Sequence, residues 1–180
     1  MRVLAEMRTR RAAAIAVVAL IPVAGVALFV GLHQAGRSEL RAQLGAQVTD
    51  ILERSTPAEH HEHGHEFGEQ AGRVVCAVDP FGYDPPDATT AAQVKWVYAQ
   101  HMCAITGPGT GWAVSVRASG PIAVRLGDQP LVRVPTPGAG YPDRVRQVIP
   151  ERYHDEAFGE FADDDAIEAA RRRFALVAAR

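Results

Sequence analysis

The residues with the clearest capacity for chemistry form a short tract rich in histidine and glutamate, residues 57–70, PAEHHEHGHEFGEQ. The tract holds His60, His61, His63 and His65, spaced among four glutamates. Neutral imidazoles and carboxylates bind zinc, copper and nickel, and a polar segment can fold around such an ion. We interpret residues 57–70 first as a solvated linker between the stalk and the domain, with no cofactor expected. The alternative is a site for a divalent transition metal, with the four histidines as candidate ligands.

Within the tract, His61, Glu62 and His65 form the pattern H-E-x-x-H. This motif resembles that of the metzincin proteases, in which two histidines on a helix bind zinc and the glutamate is the general base. The resemblance is confined to this tract and implies that His61 and His65 are zinc ligands. Ala71 stands where that family has a third histidine, and Gly64 disfavours the helix. We therefore expect no proteolysis.

The chain has two cysteines, Cys76 in the strand-like VVCAV and Cys103 in VYAQHMCAI, which has helical spacing. A single pair outside the cytoplasm is expected to be oxidised. We predict a Cys76–Cys103 disulfide, which would close a loop worth about 3 kcal/mol in the chain-entropy model. The alternative, a redox or metal-binding thiol pair, lacks a C-x-x-C motif.

Three arginines form a third candidate site. Arg117, Arg125 and Arg133 are predicted to fall on successive strands, where they would make an exposed basic patch for an anionic partner. The alternative is that they solvate the outer face of a sheet. His101, by contrast, is interpreted as a structural residue of the core.

Residues 12–32 carry no charged side chain and are long enough to cross a bilayer as a helix. Arginines before the segment outnumber those just after it, so residues 1–11 are predicted to stay in the cytoplasm. The rest of the chain would then lie outside the cell membrane. The alternative is a signal peptide cleaved after Ala27, although the apolar run continues beyond that point.

Residues 33–56 follow as a predicted amphipathic stalk helix. Leu40, Leu44, Val48 and Leu52 recur on one face. This face could pair with a second copy in a weak homodimer, or pack on the chain's own domain.

Residues 71–180 are predicted to form one α+β domain. We expect a mostly antiparallel sheet of three or four strands, packed with helices and joined by one disulfide. The predicted strands cover 73–79, 112–118, 122–126 and 131–134, and the predicted helices cover 91–105, 142–149 and 163–178.

Composition narrows the function. The formal net charge is −2, and residues 1–11 carry four arginines and one glutamate, so the rest of the chain is acidic, with 15 basic and 20 acidic residues. Nucleic acid is therefore not an expected partner. Arginine is strongly preferred over lysine, as is typical of a high-GC bacterial genome. We predict a membrane-anchored binding or interaction module of the bacterial cell envelope, whose partners are the lipid bilayer and another envelope protein. A metal-binding accessory protein is the second hypothesis, and a hydrolase the third.

Overall fold

The computed structural model describes residues 34–55, 59–60, 72–107 and 111–179. Contacts divide the chain into two units, Met1–Glu39 and Leu40–Arg180, and the second contains the sheet. The elements are, in order, helix α1 (residues 34–54), strand β1 (Val74–Asp84), a 3-10 turn (Ala91–Gln93), strand β2 (Trp96–Ile105), helix α2 (Trp112–Ser115), strand β3 (Val116–Arg125), strand β4 (Leu131–Arg133), helix α3 (Tyr141–Val148), a second 3-10 turn (Glu151–Tyr153), helix α4 (His154–Ala157) and helix α5 (Asp164–Ala178).

The four strands form one antiparallel sheet in the order β1-β2-β3-β4. Each strand therefore pairs with the next one along the chain, as expected for a meander. The predicted α+β class, the antiparallel sheet with its helices and the Cys76–Cys103 disulfide are confirmed. In the described structure β1 and β4 are the two edges of the sheet.

Helix α1 covers one face of the sheet. The residues that recur every four positions are buried in one cluster with the sheet residues Val97, Ile122 and Val124; these are Leu40, Leu44, Val48 and Leu52. Such spacing places side chains on one side of a helix. Residues 40–52 of the predicted stalk are thus part of the domain core, and the sheet covers the apolar stripe that a stalk-to-stalk dimer would use.

The other face of the sheet is covered by the C-terminal helices. Ala170 and Phe174 of α5 pack on Val75 and Ala77 of β1. Further along the same face, Val145 and Ile149 of the α3 region and Ala157 of α4 pack on Tyr98 and Ala123. The helices predicted over 142–149 and 163–178 are confirmed as α3 and α5, and Asp163 caps α5 by accepting a hydrogen bond from the Ala166 amide.

The helix predicted over 91–105 is wrong. Only Ala91–Gln93 forms a helical turn, and Trp96–Ile105 is strand β2. Because β2 lies between two strands and is buried on both faces, its sequence lacks the alternation of a half-exposed strand, and its apolar residues imitate helical spacing. Trp96 consequently belongs to the opposite face from Cys103 and does not pack beside it.

The strands predicted over 112–118 and 122–126 are also corrected. Trp112–Ser115 is helix α2, and a single strand, β3, runs from Val116 to Arg125 through Gly120 and Pro121. Gly120 adopts a φ of 127°, which favours glycine, and Pro121 lies opposite Gln100 of β2. Since β4 pairs only with Ala123–Arg125, Pro121 has a strand on one side only in the described structure, where a missing amide is tolerated.

Among the described residues, no helix combines the length and the apolar character needed to cross a bilayer. The apolar segment 12–32 and the N-terminal residues 1–11 lie outside the described residues. The anchor, its orientation and the cleavage alternative therefore stay predictions.

Candidate functional site at the edge of strand β1

The pairing of Cys76 with Cys103 shows in which direction the backbone amide and carbonyl of Cys76 point. Cys76 lies opposite Cys103 in the β1–β2 ladder, and their Cα atoms are 4.1 Å apart. So short a distance is typical of the antiparallel pair whose two residues do not hydrogen-bond each other. The amide and carbonyl of Cys76 therefore point away from β2, toward the open edge.

Two charged side chains occupy these outward backbone groups. The Cys76 amide donates to Glu53 Oε1 at 3.0 Å, and an Arg173 guanidinium nitrogen donates to the Cys76 carbonyl at 2.7 Å. The same nitrogen of Arg173 lies 2.9 Å from Glu53 Oε1. We call Glu53 and Arg173 the edge ion pair. It supplies the acceptor and the donor that a residue of a neighbouring strand would offer to Cys76.

The C-terminal half of the same edge is covered by other side chains. Arg41 of α1 donates to the Phe81 carbonyl at 3.4 Å. The Tyr153 hydroxyl donates to the Tyr83 carbonyl at 3.0 Å and accepts from the Tyr83 amide at 3.3 Å. A register shift between Pro80 and Gly82 further breaks the ladder there. Strand-like geometry on this edge is therefore concentrated in its N-terminal half, around Cys76.

An open groove lies beside that half. Its volume is about 310 Å³, and apolar atoms make up most of its wall. It is lined by Glu53, Arg73, Val74, Val75, Arg173, Leu176 and Val177, and we call it the edge groove. Leu176 is 67% exposed, so its apolar side chain is accessible at the groove. Groove and edge ion pair together form the candidate site.

One histidine of the predicted metal tract is described, and it lies in the core. His60 is fully buried, and its Nε2 lies 2.8 Å from the Leu52 carbonyl. Because a carbonyl only accepts, Nε2 must carry the proton in this bond. His61, His63 and His65 lie outside the described residues, so the metal site stays a prediction. Among the described residues, no group of three or more potential ligands is arranged to hold a metal ion.

His101 is buried close to His60. Its Nδ1 donates to the Gly120 carbonyl at 2.7 Å, which ties β2 to β3. Burial lowers the pKa of His101 to about 4; the bond to Gly120 opposes this shift, and the neighbouring His60 adds to it. His101 is therefore neutral at pH 7, in agreement with a structural role in the core.

The predicted basic patch has a different arrangement from the one expected. Arg117 and Arg125 lie on the same strand, β3, and not on successive strands. Eight residues of extended chain place their backbones about 26 Å apart, too far for one small anion to contact both. Arg125 donates to the Gln129 carbonyl, and the Arg133 guanidinium lies 5.2 Å from the centre of the Trp96 ring. Anion binding by these arginines stays a prediction.

No protein-family profile, curated protein or solved structure matches this chain. The geometry and chemistry of the site are therefore the basis on which we infer the function.

The sequence did not reveal Glu53 and Arg173 as a pair. The two residues lie 120 positions apart, and each belongs to a helix whose charged residues looked like an ordinary solvated surface. A weak signal exists, because each follows or precedes a core residue, Leu52 or Phe174. Such neighbours place a charged side chain at the border of a buried stripe, where it can reach the backbone of an adjacent strand.

Proposed function

We propose that this protein is a membrane-anchored, extracytoplasmic binding module of the bacterial cell envelope, and that it binds another envelope protein through the edge groove. The observation that carries the proposal is the groove itself, an apolar cleft flanked by charged side chains and containing the exposed Leu176. Concave apolar surfaces with a few polar groups are the usual form of a binding site.

The compartment is supported by two independent features. The apolar segment 12–32 has the length of a membrane helix, and arginines precede it. The disulfide fits an oxidising environment, since stable disulfides are rare in the cytosol. Together they favour a chain whose domain lies outside the membrane, where it meets other envelope components.

Two engineered cysteines test the topology. Ser119 is exposed on β3, and Thr9 lies before the apolar segment. A membrane-impermeant thiol reagent applied to whole cells should label the Ser119→Cys variant and should label Thr9→Cys only after lysis. Labelling of Thr9→Cys in intact cells, or of Ser119→Cys only in lysates, would contradict the proposed orientation.

Site-specific photo-crosslinking tests the binding role. Leu176 and Val114 are both apolar, and both are 67% exposed, so they form a matched pair inside and outside the groove. A photoreactive amino acid at position 176 of the full-length protein in native membranes should give a discrete adduct with one envelope protein. The same amino acid at position 114 should not. Identical adducts at both positions, or none at either, would reject the groove as the binding surface.

A further inference from the structure

We propose that the edge groove binds an extended segment of a partner protein by strand addition, in which the segment pairs with the N-terminal half of β1 and displaces the edge ion pair from Cys76. This inference rests on the proposed binding role and specifies the partner's chemistry. In strand addition, main-chain hydrogen bonds supply affinity and alternate side chains supply specificity.

The outward backbone groups of β1 at Cys76 are bonded to side chains and not to another strand. Cys76 has both its outward amide and its outward carbonyl bonded to side chains, at 3.0 and 2.7 Å. By the alternation of an antiparallel strand, Val74 and Val78 present their backbones in the same direction. A run of residues in strand geometry therefore faces the open edge of the sheet, with Val74 at the groove, and the groups that cover Cys76 are side chains that can rotate away.

The two side chains of the edge ion pair, which cover Cys76, are accessible to solvent. The side chains of Glu53 and Arg173 are 26% and 40% exposed, so both can be solvated as they leave Cys76. An incoming strand would restore one donor and one acceptor to Cys76. The exchange leaves no buried backbone group without a partner, the condition that makes strand addition favourable.

The space beside β1 fits a single extended chain and not a second copy of the sheet. Glu53 belongs to α1 and Arg173 to α5, and their contact across β1 shows that helices from both faces of the sheet flank this edge. A single strand needs only the spacing of about 4.8 Å between neighbouring strands. The β1 edge of a second copy lies between its own α1 and α5, which would collide with those of the first. A single extended chain therefore fits where a second sheet does not.

The charge and the apolar side chains of the groove lining indicate which kind of segment fits it. The lining contains two cations, Arg73 and Arg173, and one anion, Glu53, so the groove has a net positive charge. Its apolar wall includes Val74, Leu176 and Val177. The segment that fits best alternates apolar and acidic residues, because the apolar side chains cover the wall and the carboxylates meet the two arginines.

A synthetic probe tests the inference directly. The probe is a peptide of about ten residues, a usual strand length, that alternates valine and glutamate in either register. It is added to the isotope-labelled full-length protein in detergent micelles. We expect a Kd below about 1 mM and at least about tenfold slower hydrogen exchange of the Cys76 amide.

Two control peptides separate strand addition from other binding. A peptide methylated at alternate backbone nitrogens cannot form the ladder, and we expect its binding to be at least about tenfold weaker. A valine–lysine peptide has the same pattern but the wrong charge, and it should also bind more weakly. Equal binding by the methylated peptide, or no change at the Cys76 amide at about 1 mM valine–glutamate peptide, would overturn the inference.

Variants of the edge ion pair sharpen the test. Glu53→Gln removes the anion that holds Arg173, so it should tighten binding of the acidic peptide, whereas Arg173→Gln should weaken it about fivefold or more. Arg171→Gln is the matched control, because Arg171 lies on the same helix and pairs with Glu168 outside the groove lining. An equal loss in Arg171→Gln would contradict a specific role for Arg173. Crosslinking at position 176 without peptide-induced protection of Cys76 would leave the binding role intact and reject strand addition.

Discussion

The two edges of the sheet solve the same problem in different ways. β4 contains only Leu131–Arg133, too short to serve as a template for another strand, and Pro130 precedes it. β1 is eleven residues long, and its outward backbone is covered by side chains from three separate elements. A short edge cannot be opened, whereas a side-chain cover can rotate away. We infer from this comparison that β1 is the edge that can exchange its side-chain cover for a partner strand.

The largest effect is expected where β1 joins the sheet. Replacing Cys76 and Cys103 together by alanine removes the cross-link between the edge strand and β2, and should lower the free energy of unfolding by about 2 to 5 kcal/mol. Denaturant unfolding of the variant and of the wild type measures this difference. Reduction of the wild type is the control and should give a similar loss. A change well under 1 kcal/mol would show that the cover of β1 suffices to hold it.

Acid should destabilise the protein through His101, which lies on the central strand β2. His101 has a folded-state pKa of about 4, below its ordinary value of 6.5, so between these pH values the unfolded chain binds a proton that the folded chain does not. Stability should therefore fall with decreasing pH across this window, by up to about 1.4 kcal/mol per pH unit, and this contribution should level off below pH 4.

The variant His101→Asn isolates this contribution from that of the carboxylates, because its side-chain amide takes the place of Nδ1 as the donor to the Gly120 carbonyl but does not titrate. Its stability should change less between pH 6.5 and 4 than that of the wild type, as measured by denaturant unfolding at each pH. Parallel pH profiles for the two proteins would show that His101 does not control acid stability. The adjacent buried His60 would then be the next residue to replace.

Sequence reasoning succeeded where one residue pattern has one structural meaning. The four-residue spacing of Leu40 and Leu44 specified a helix with one buried face, and two cysteines in a chain predicted to be exported specified the disulfide. It failed for β2, because a strand buried on both faces has no alternation and its apolar residues also fit a helix. It could not find the edge ion pair, since contact between residues 120 positions apart depends on how three elements pack.

Removing the edge ion pair should expose β1 selectively. Arg173→Gln leaves the Cys76 carbonyl and Glu53 without their charged donor, at a cost of about 1 kcal/mol because the pair is partly solvated. The Cys76 amide should also exchange its hydrogen faster, because Arg173 no longer holds Glu53 in place to accept from it, and hydrogen exchange of the isotope-labelled protein in micelles measures this. Arg171→Gln, on the same helix, should change neither quantity measurably. Unchanged exchange at Cys76 in Arg173→Gln would mean that the ion pair is not what protects this edge.

The smallest effect is expected at the opposite edge. Arg133 lies on β4 with its guanidinium 5.2 Å from the centre of the Trp96 ring, and this exposed cation–π contact is worth about 0.5 kcal/mol. Arg133→Gln should therefore lower stability by about that amount in denaturant unfolding, with Arg133→Lys as the variant that keeps a cation. Hydrogen exchange of the Cys76 amide should not change, because Arg133 lies on β4 at the opposite edge of the sheet. If Arg133→Gln speeded this exchange as much as Arg173→Gln, the ion pair would not act on β1 specifically, and the case for β1 as the exchangeable edge would rest on the edge groove alone.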